Sequence, residues 1–178
     1  MFPLAPFSAV VLAALTGIAA CTDMEARRIP NWLNLSGLIV GFALNLFLYG
    51  SAGLKNSALG LGVALLIYLP LFIIKGMGAG DVKLMAAVGA LVGPANWLRI
   101  FALTAIFGGL IAAVVILYRG SAGRALRNIG RILLSPFRGS VPYQDNPELD
   151  VTSGKGLSLP HGAVIGLGAF TYVFVISA

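Results

Sequence analysis

Gly76-Met77-Gly78-Ala79-Gly80-Asp81-Val82-Lys83-Leu84 joins two apolar runs, Leu59–Ile74 and Leu84–Val92, in a chain where charge is scarce. A carboxylate at the edge of hydrocarbon is costly, so an acid kept there marks a functional site. The glycines before it let the backbone bend and let neighbouring elements approach closely, because no Cβ stands in the way. One other acidic spot adjoins an apolar run: Asp23-Met24-Glu25, after the first such segment. Asp23 and Asp81 are therefore the pair on which a functional reading is built.

Of the 178 residues, 58% are hydrophobic and 10% charged, and the mean hydropathy is +0.94. A soluble domain carries about 25% charged residues, so the chain reads as an integral membrane protein. The expected fold is all-α: one polytopic helical bundle over residues 1–178, with about six transmembrane helices. The net charge of +6 does not indicate nucleic acid, because the basic residues are dispersed at the ends of apolar runs. There they act as topology determinants. A single cysteine, Cys21, excludes an internal disulfide and any multi-cysteine zinc site.

The six segments run roughly over Pro3–Cys21, Leu33–Tyr49, Ser57–Ile74, Val82–Val92, Trp97–Tyr118 and Leu159–Ile176. Most are near the roughly 20 residues that span about 30 Å of hydrocarbon. Ile18-Ala19-Ala20-Cys21 resembles a lipoprotein-type cleavage box. No Lys or Arg precedes that run, however, while Arg27 and Arg28 follow it, the reverse of a signal peptide's arrangement. The first segment is accordingly expected to stay as a helix with its N-terminus outside. Six crossings then put Arg27, Arg28, Lys75, Lys83, Arg119, Arg124, Arg127, Arg131, Arg138 and Lys155 in the cytoplasm. Only Lys55 and Arg99 face the other way, ten against two. The fourth segment is short: Val82–Gly93 covers 12 residues, roughly 18 Å as a helix. A re-entrant hairpin there would place the basic connection outside and remove that asymmetry, so the charge bias favours a crossing that starts within the glycines and ends at Pro94. A helix that short implies local thinning or burial among other helices.

The long connection, about residues 119–158, is the expected cytoplasmic loop. Arg124, Arg127 and Arg131 recur at helical spacing opposite Leu126, Ile129, Ile132 and Leu133. That pattern suits an amphipathic helix on the inner membrane surface, its arginines among anionic lipid headgroups. Pro, Gly, Ser and Asp dominate from Ser135 onward and predict irregular chain. Asp145, Glu148 and Asp150 are expected to be solvated there.

In this topology Asp23 and Asp81 share the cytoplasmic depth. Two carboxylates brought close cannot both ionise cheaply, so such a pair holds one proton between them. One member then acts as base on a water while the other polarises a carbonyl. Peptide hydrolysis needs that combination. The competing reading makes them interfacial ion pairs, Asp23 with Arg27 and Asp81 with Lys83 or Lys75.

Gly78-Ala79-Gly80-Asp81 resembles the GxGD motif of intramembrane aspartyl proteases, and its continuation Val82-Lys83-Leu84 is similar to the form in type IV prepilin peptidases. Asp23 followed by Arg27-Arg28-Ile29-Pro30-Asn31 resembles that family's first catalytic aspartate and the run after it. Leu159-Pro160-His161-Gly162-Ala163 is similar to its Leu-Pro-Tyr-Gly-Pro opening of the last helix, departing at His161 and Ala163. The resemblance covers nearly the whole chain. It implies removal of the basic leader, typically after a glycine, from type IV pilin or pseudopilin precursors at the cytoplasmic face of a bacterial inner membrane. Asp23 and Asp81 carry over as the catalytic pair. Gly78 and Gly80 carry over as the bend presenting Asp81, with Lys83, Arg27, Arg28, Pro30 and Asn31 as supporting motif residues. No metal or cofactor is implied. Many relatives also methylate the new N-terminus through a domain with paired Cys-x-x-Cys motifs. Without those cysteines the chain resembles the short form of Flp or tight-adherence pilus systems.

Other residues carry plainer expectations. Cys21 and His161 do not suggest a thiol protease, since the cysteine's apolar neighbourhood disfavours a thiolate. His161, the one histidine, is expected at the membrane interface, as are Trp32, Trp97 and Tyr118. Gly89-x-x-x-Gly93 and Gly60-x-Gly62 are expected to serve helix packing. The alternative function is a proton-coupled carrier or a membrane assembly subunit using the same aspartates. A carrier would more often show repeated halves, and no second Gly-x-Gly-Asp occurs.

Overall fold

The structure, a computed structural model, describes residues 4–74, 76–118 and 160–176. Helix α1 spans Pro6–Ala26, with a proline at its start, where a missing N–H costs nothing. It stops because Arg27 takes the left-handed conformation (φ 50°, ψ 36°) and returns its N–H to the Asp23 carbonyl at 2.9 Å. Helix α2 spans Asn31–Ile73 behind an extended Pro30, and α3 spans Ala79–Tyr118. Helix α4, His161–Thr171, follows Pro160 and continues as a π-helical turn, Tyr172–Ile176. Among the described residues no strand occurs.

Neither long helix is one rod. Gly50 (φ 61°, ψ −142°) interrupts α2 and Gly93 (φ 76°, ψ 171°) interrupts α3, both in conformations that glycine adopts most cheaply. The chain turns back at each break. Gly53 lies against the Asn45 carbonyl, although eight residues of straight helix span about 12 Å. The Trp97 indole N–H donates to the Met85 carbonyl at 2.9 Å across the Gly93 break. Pro94 opens the second arm of α3, where its missing N–H is harmless. The described chain therefore has six helical arms, 6–26, 31–49, 51–73, 79–92, 94–118 and 161–176, one for each apolar segment. By length and composition, α1, α2 and α3 are each able to cross a membrane.

The first arm of α3 is the centre of the bundle. Every residue from Leu84 to Gly93 is buried. On one side lies the first arm of α2, in parallel, with Gly37 near Ala87 and Gly41 against Ala90 and Leu91. On the other side the second arm of α2 runs antiparallel, with Gly60 against Gly89 and Asn56 against Gly93. Glycine at these crossings lets backbones touch, which is the main source of helix adhesion where hydrophobic drive is absent. Gly62, by contrast, faces open space and packs nothing. The short fourth segment is thus accommodated by burial among other helices.

Polar side chains repair the Gly93 break. Asn45 donates to the Ala90 and Leu91 carbonyls at 3.2 and 2.9 Å, and Asn96 donates to the Val92 carbonyl at 3.0 Å. Tyr172 from α4 donates to the Asn96 side chain at 2.8 Å. Trp97 departs from its interfacial expectation: it is fully buried, stacked on Phe101 at 5.4 Å and edge-on to Tyr68 at 5.9 Å. Its N–H found a backbone acceptor inside the bundle, so it needs no water. Trp32 and Tyr118 are exposed, as belt residues would be. Lys75, the basic connection with Arg119, Arg124, Arg127, Arg131, Arg138 and Lys155, its surface helix, and Asp145, Glu148 and Asp150 lie outside the described residues.

Candidate active site

The end of the bundle away from the glycine breaks gathers the last turn of α1 and the first turns of α2, α3 and α4. Asp23 occupies that last turn of α1 and is 7% exposed. Its Oδ2 accepts the Gly162 backbone N–H of α4 at 2.8 Å. A methyl group on Gly162 would stand 3.0 Å from the Asp23 Cβ and Oδ2, so the fit depends on glycine. Asp81 lies in the first turn of α3 and is half-buried. Its Oδ2 passes 3.2 Å from where a Cβ on Gly78 would be. Each carboxylate thus meets the N-terminal end of a helix, where free backbone N–H groups await acceptors.

The turn after Asp23 packs through Ile29 on Gly80, the residue before Asp81, so α1 and α3 bring their carboxylates to the same end of the bundle. Asp81 in turn acts on the Tyr68 hydroxyl, and Asp23 on the His161 ring. These four side chains, the Gly162 amide and the buried Asn34 contribute to the polar interior at this end.

The run after Asp23 docks on the glycine motif. A Cβ on Gly80 would lie 3.4 Å from that of Ile29, and the Gly80 carbonyl takes a long bond, 3.5 Å, from Asn34. Lys83 donates to the Asn31 side chain at 2.9 Å. Lys83, one of the two lysines that an ion-pair reading assigns to Asp81, is therefore turned to the start of α2. Neither Gly78 nor Gly80 adopts a left-handed conformation. The chain bends at residues 76 and 77 just before α3, and the two glycines then make close approaches, Gly78 to Asp81 and Gly80 to Ile29. Arg27 and Arg28 are exposed, and Arg27 contributes the backbone turn that ends α1.

Two side chains and one backbone amide receive no role from the sequence. Tyr68 lies inside an apolar run with no companion motif. Asn34 is one of several asparagines in apolar runs, and only its neighbour Gly80 singles it out. Gly162 acts through its amide, which every residue but proline has. His161, expected at the interface, is half-buried with its Nε2 enclosed. Cys21 is exposed. Among the described residues no three of His, Cys, Asp and Glu converge as a metal site would need.

A model of the type IV leader peptidase family matches residues 10–113, a span that includes both aspartates. No curated protein and no solved structure matches the chain.

Proposed function

Because the chain belongs to the type IV leader peptidase family, we propose that it is a membrane aspartyl endopeptidase using Asp23 and Asp81. Its substrate is a type IV pilin-like precursor, whose basic leader it removes at the cytoplasmic face of the inner membrane. The observation that supports the reading is that Asp23, at the end of α1, and Asp81, at the start of α3, lie at one end of the bundle, linked by the packing of Ile29 on Gly80.

One carboxylate takes a proton from water while the other, protonated, donates to the scissile carbonyl. The water oxygen bonds to the carbonyl carbon, giving a tetrahedral intermediate. The C–N bond then breaks as the leaving nitrogen receives the proton taken from water, and the carbonyl re-forms by returning its proton to the second carboxylate. The Gly162 amide holds Oδ2 of Asp23 and leaves its other oxygen for this work. Gly78 and Gly80 let the α3 start and the Ile29 turn close around Asp81. Six crossings with the aspartate end inside would set the pair at the depth where a leader enters the membrane.

Co-expression with a pilin-type precursor tests this by leader removal on a gel. Wild type should cleave; Asp23→Asn and Asp81→Asn should each reduce turnover per folded molecule at least a thousandfold. The double variant should be no worse, because groups acting as one unit are not additive. Near-normal turnover by Asp81→Asn would defeat the proposal.

A further inference from the structure

Four buried side-chain atoms have no hydrogen-bond partner among the described residues: Asn34 Oδ1, Ser57 Oγ, Thr104 Oγ1 and His161 Nε2. Leaving such a group unsatisfied costs about 1–3 kcal/mol, so each needs a physical reason. Ser57 and Thr104 sit within helices, where a hydroxyl can rotate to the carbonyl one turn back. Asn34 is tied through its amide nitrogen to the Gly80 carbonyl, and among the described residues no hydrogen bond joins its Oδ1 to Asp23. The His161 ring nitrogen has no such local recourse. It stands at the first residue of α4, beside the glycine that holds Asp23, and the charge of Asp23 reaches its ring. The mechanism above does not use it.

We propose that His161 Nε2, enclosed in the free protein, is uncovered when substrate binds and then hydrogen-bonds the backbone of the peptide held at Asp23 and Asp81. The inference rests on the peptidase reading. A peptide backbone supplies the missing partner, and Gly162, one residue on, ties the ring's position to Asp23. Binding of substrate thereby satisfies a nitrogen that the free protein leaves unpaired, which favours the complex.

The test uses the full chain and a synthetic precursor with a basic leader, a glycine at the cleavage point and an apolar helix. His161→Phe fills the same space without a donor or acceptor. Its thermal unfolding temperature should hold or rise, because an unpaired nitrogen is gone, while kcat/KM falls at least tenfold, mainly through KM. His161→Gln, whose amide reaches to a similar distance, should recover most of the loss. A Phe variant within twofold of wild type, or a Gln variant as impaired as Phe, overturns the proposal and leaves the peptidase reading standing. A wild-type protein that cleaves none of the precursor overturns both. The protein has one histidine, so 15N-histidine labelling gives a second measurement that does not need the Phe variant to fold. In Asp81→Asn, which holds precursor uncleaved, adding it should move a ring-nitrogen resonance; an unmoved spectrum at saturation overturns the contact.

Discussion

One oxygen of Asp23 is held by the Gly162 amide at 2.8 Å, so the first turn of α4 decides where that carboxylate stands. Gly162→Ala tests the arrangement at the scale of a single methyl group. The new Cβ would meet Asp23 at 3.0 Å, tighter than ordinary contact, and either α4 or the carboxylate must give way. A displacement of this kind lowers kcat roughly ten- to a hundredfold, since misplacing a reacting group by about 1 Å costs on that order. KM and folded yield should stay near wild type. A saturating cleavage assay reads it, and a kcat within twofold of wild type would show that Gly162 does not set Asp23. The motif residues around Asp81 work differently. Gly78 and Gly80 matter for the atoms they lack, and Lys83 ties α3 to Asn31 at the start of α2.

At the scale of the element, the crossing of the second arm of α2 with the first arm of α3 is the tightest test of packing. Gly60 lies against the Gly89 carbonyl, whereas Gly62, two residues on, has nothing within 4 Å of a would-be Cβ. Gly60→Ala should destabilise by about 1–3 kcal/mol, the usual cost of overpacking. Gly62→Ala should be neutral or slightly stabilising, because alanine improves helix propensity by about 0.5–1 kcal/mol with nothing to collide against. Thermal unfolding in detergent compares them directly. Equal stability of the two variants would mean that the arms do not meet at Gly60. The break in α3 depends on Asn45, whose amide serves carbonyls that the interrupted helix leaves open. Asn45→Leu should therefore cost about 1–3 kcal/mol, the penalty for buried acceptors left unpaired.

At the scale of the whole molecule, the basic side chains among the described residues divide three against two between the ends. Arg27, Arg28 and Lys83 lie at the aspartate end, while Lys55 and Arg99 lie toward the Gly50 and Gly93 breaks. Positive residues favour the cytoplasm, so the aspartate end is expected inside. Cysteines placed at Ser51, Ser121 and Ser153 in a Cys21→Ser background check this in intact cells. Ser51, exposed near the Gly50 break, should label with an impermeant thiol reagent, and the other two should not. Labelling at Ser121 and Ser153 from outside would overturn the six-crossing arrangement.

The membrane character, the helical segments and the two aspartates follow from local chemistry: long apolar runs, glycines and prolines between them, and acids too costly to keep beside hydrocarbon without use. Those properties belong to short stretches of chain and survive in any arrangement of the helices. Which face of each helix packs inward is another matter. Lipid and protein interior are equally apolar, so a membrane helix carries little pattern that tells its buried side from its lipid side. Trp97 illustrates this: an aromatic at a segment end reads as a belt residue, and only its reach to the Met85 carbonyl draws it into the core. The same holds for the central place of 79–92, for Lys83 bonding Asn31, and for Gly162 holding Asp23. Each joins residues far apart in the chain, and the approach of whole helices through their glycines alone decides it.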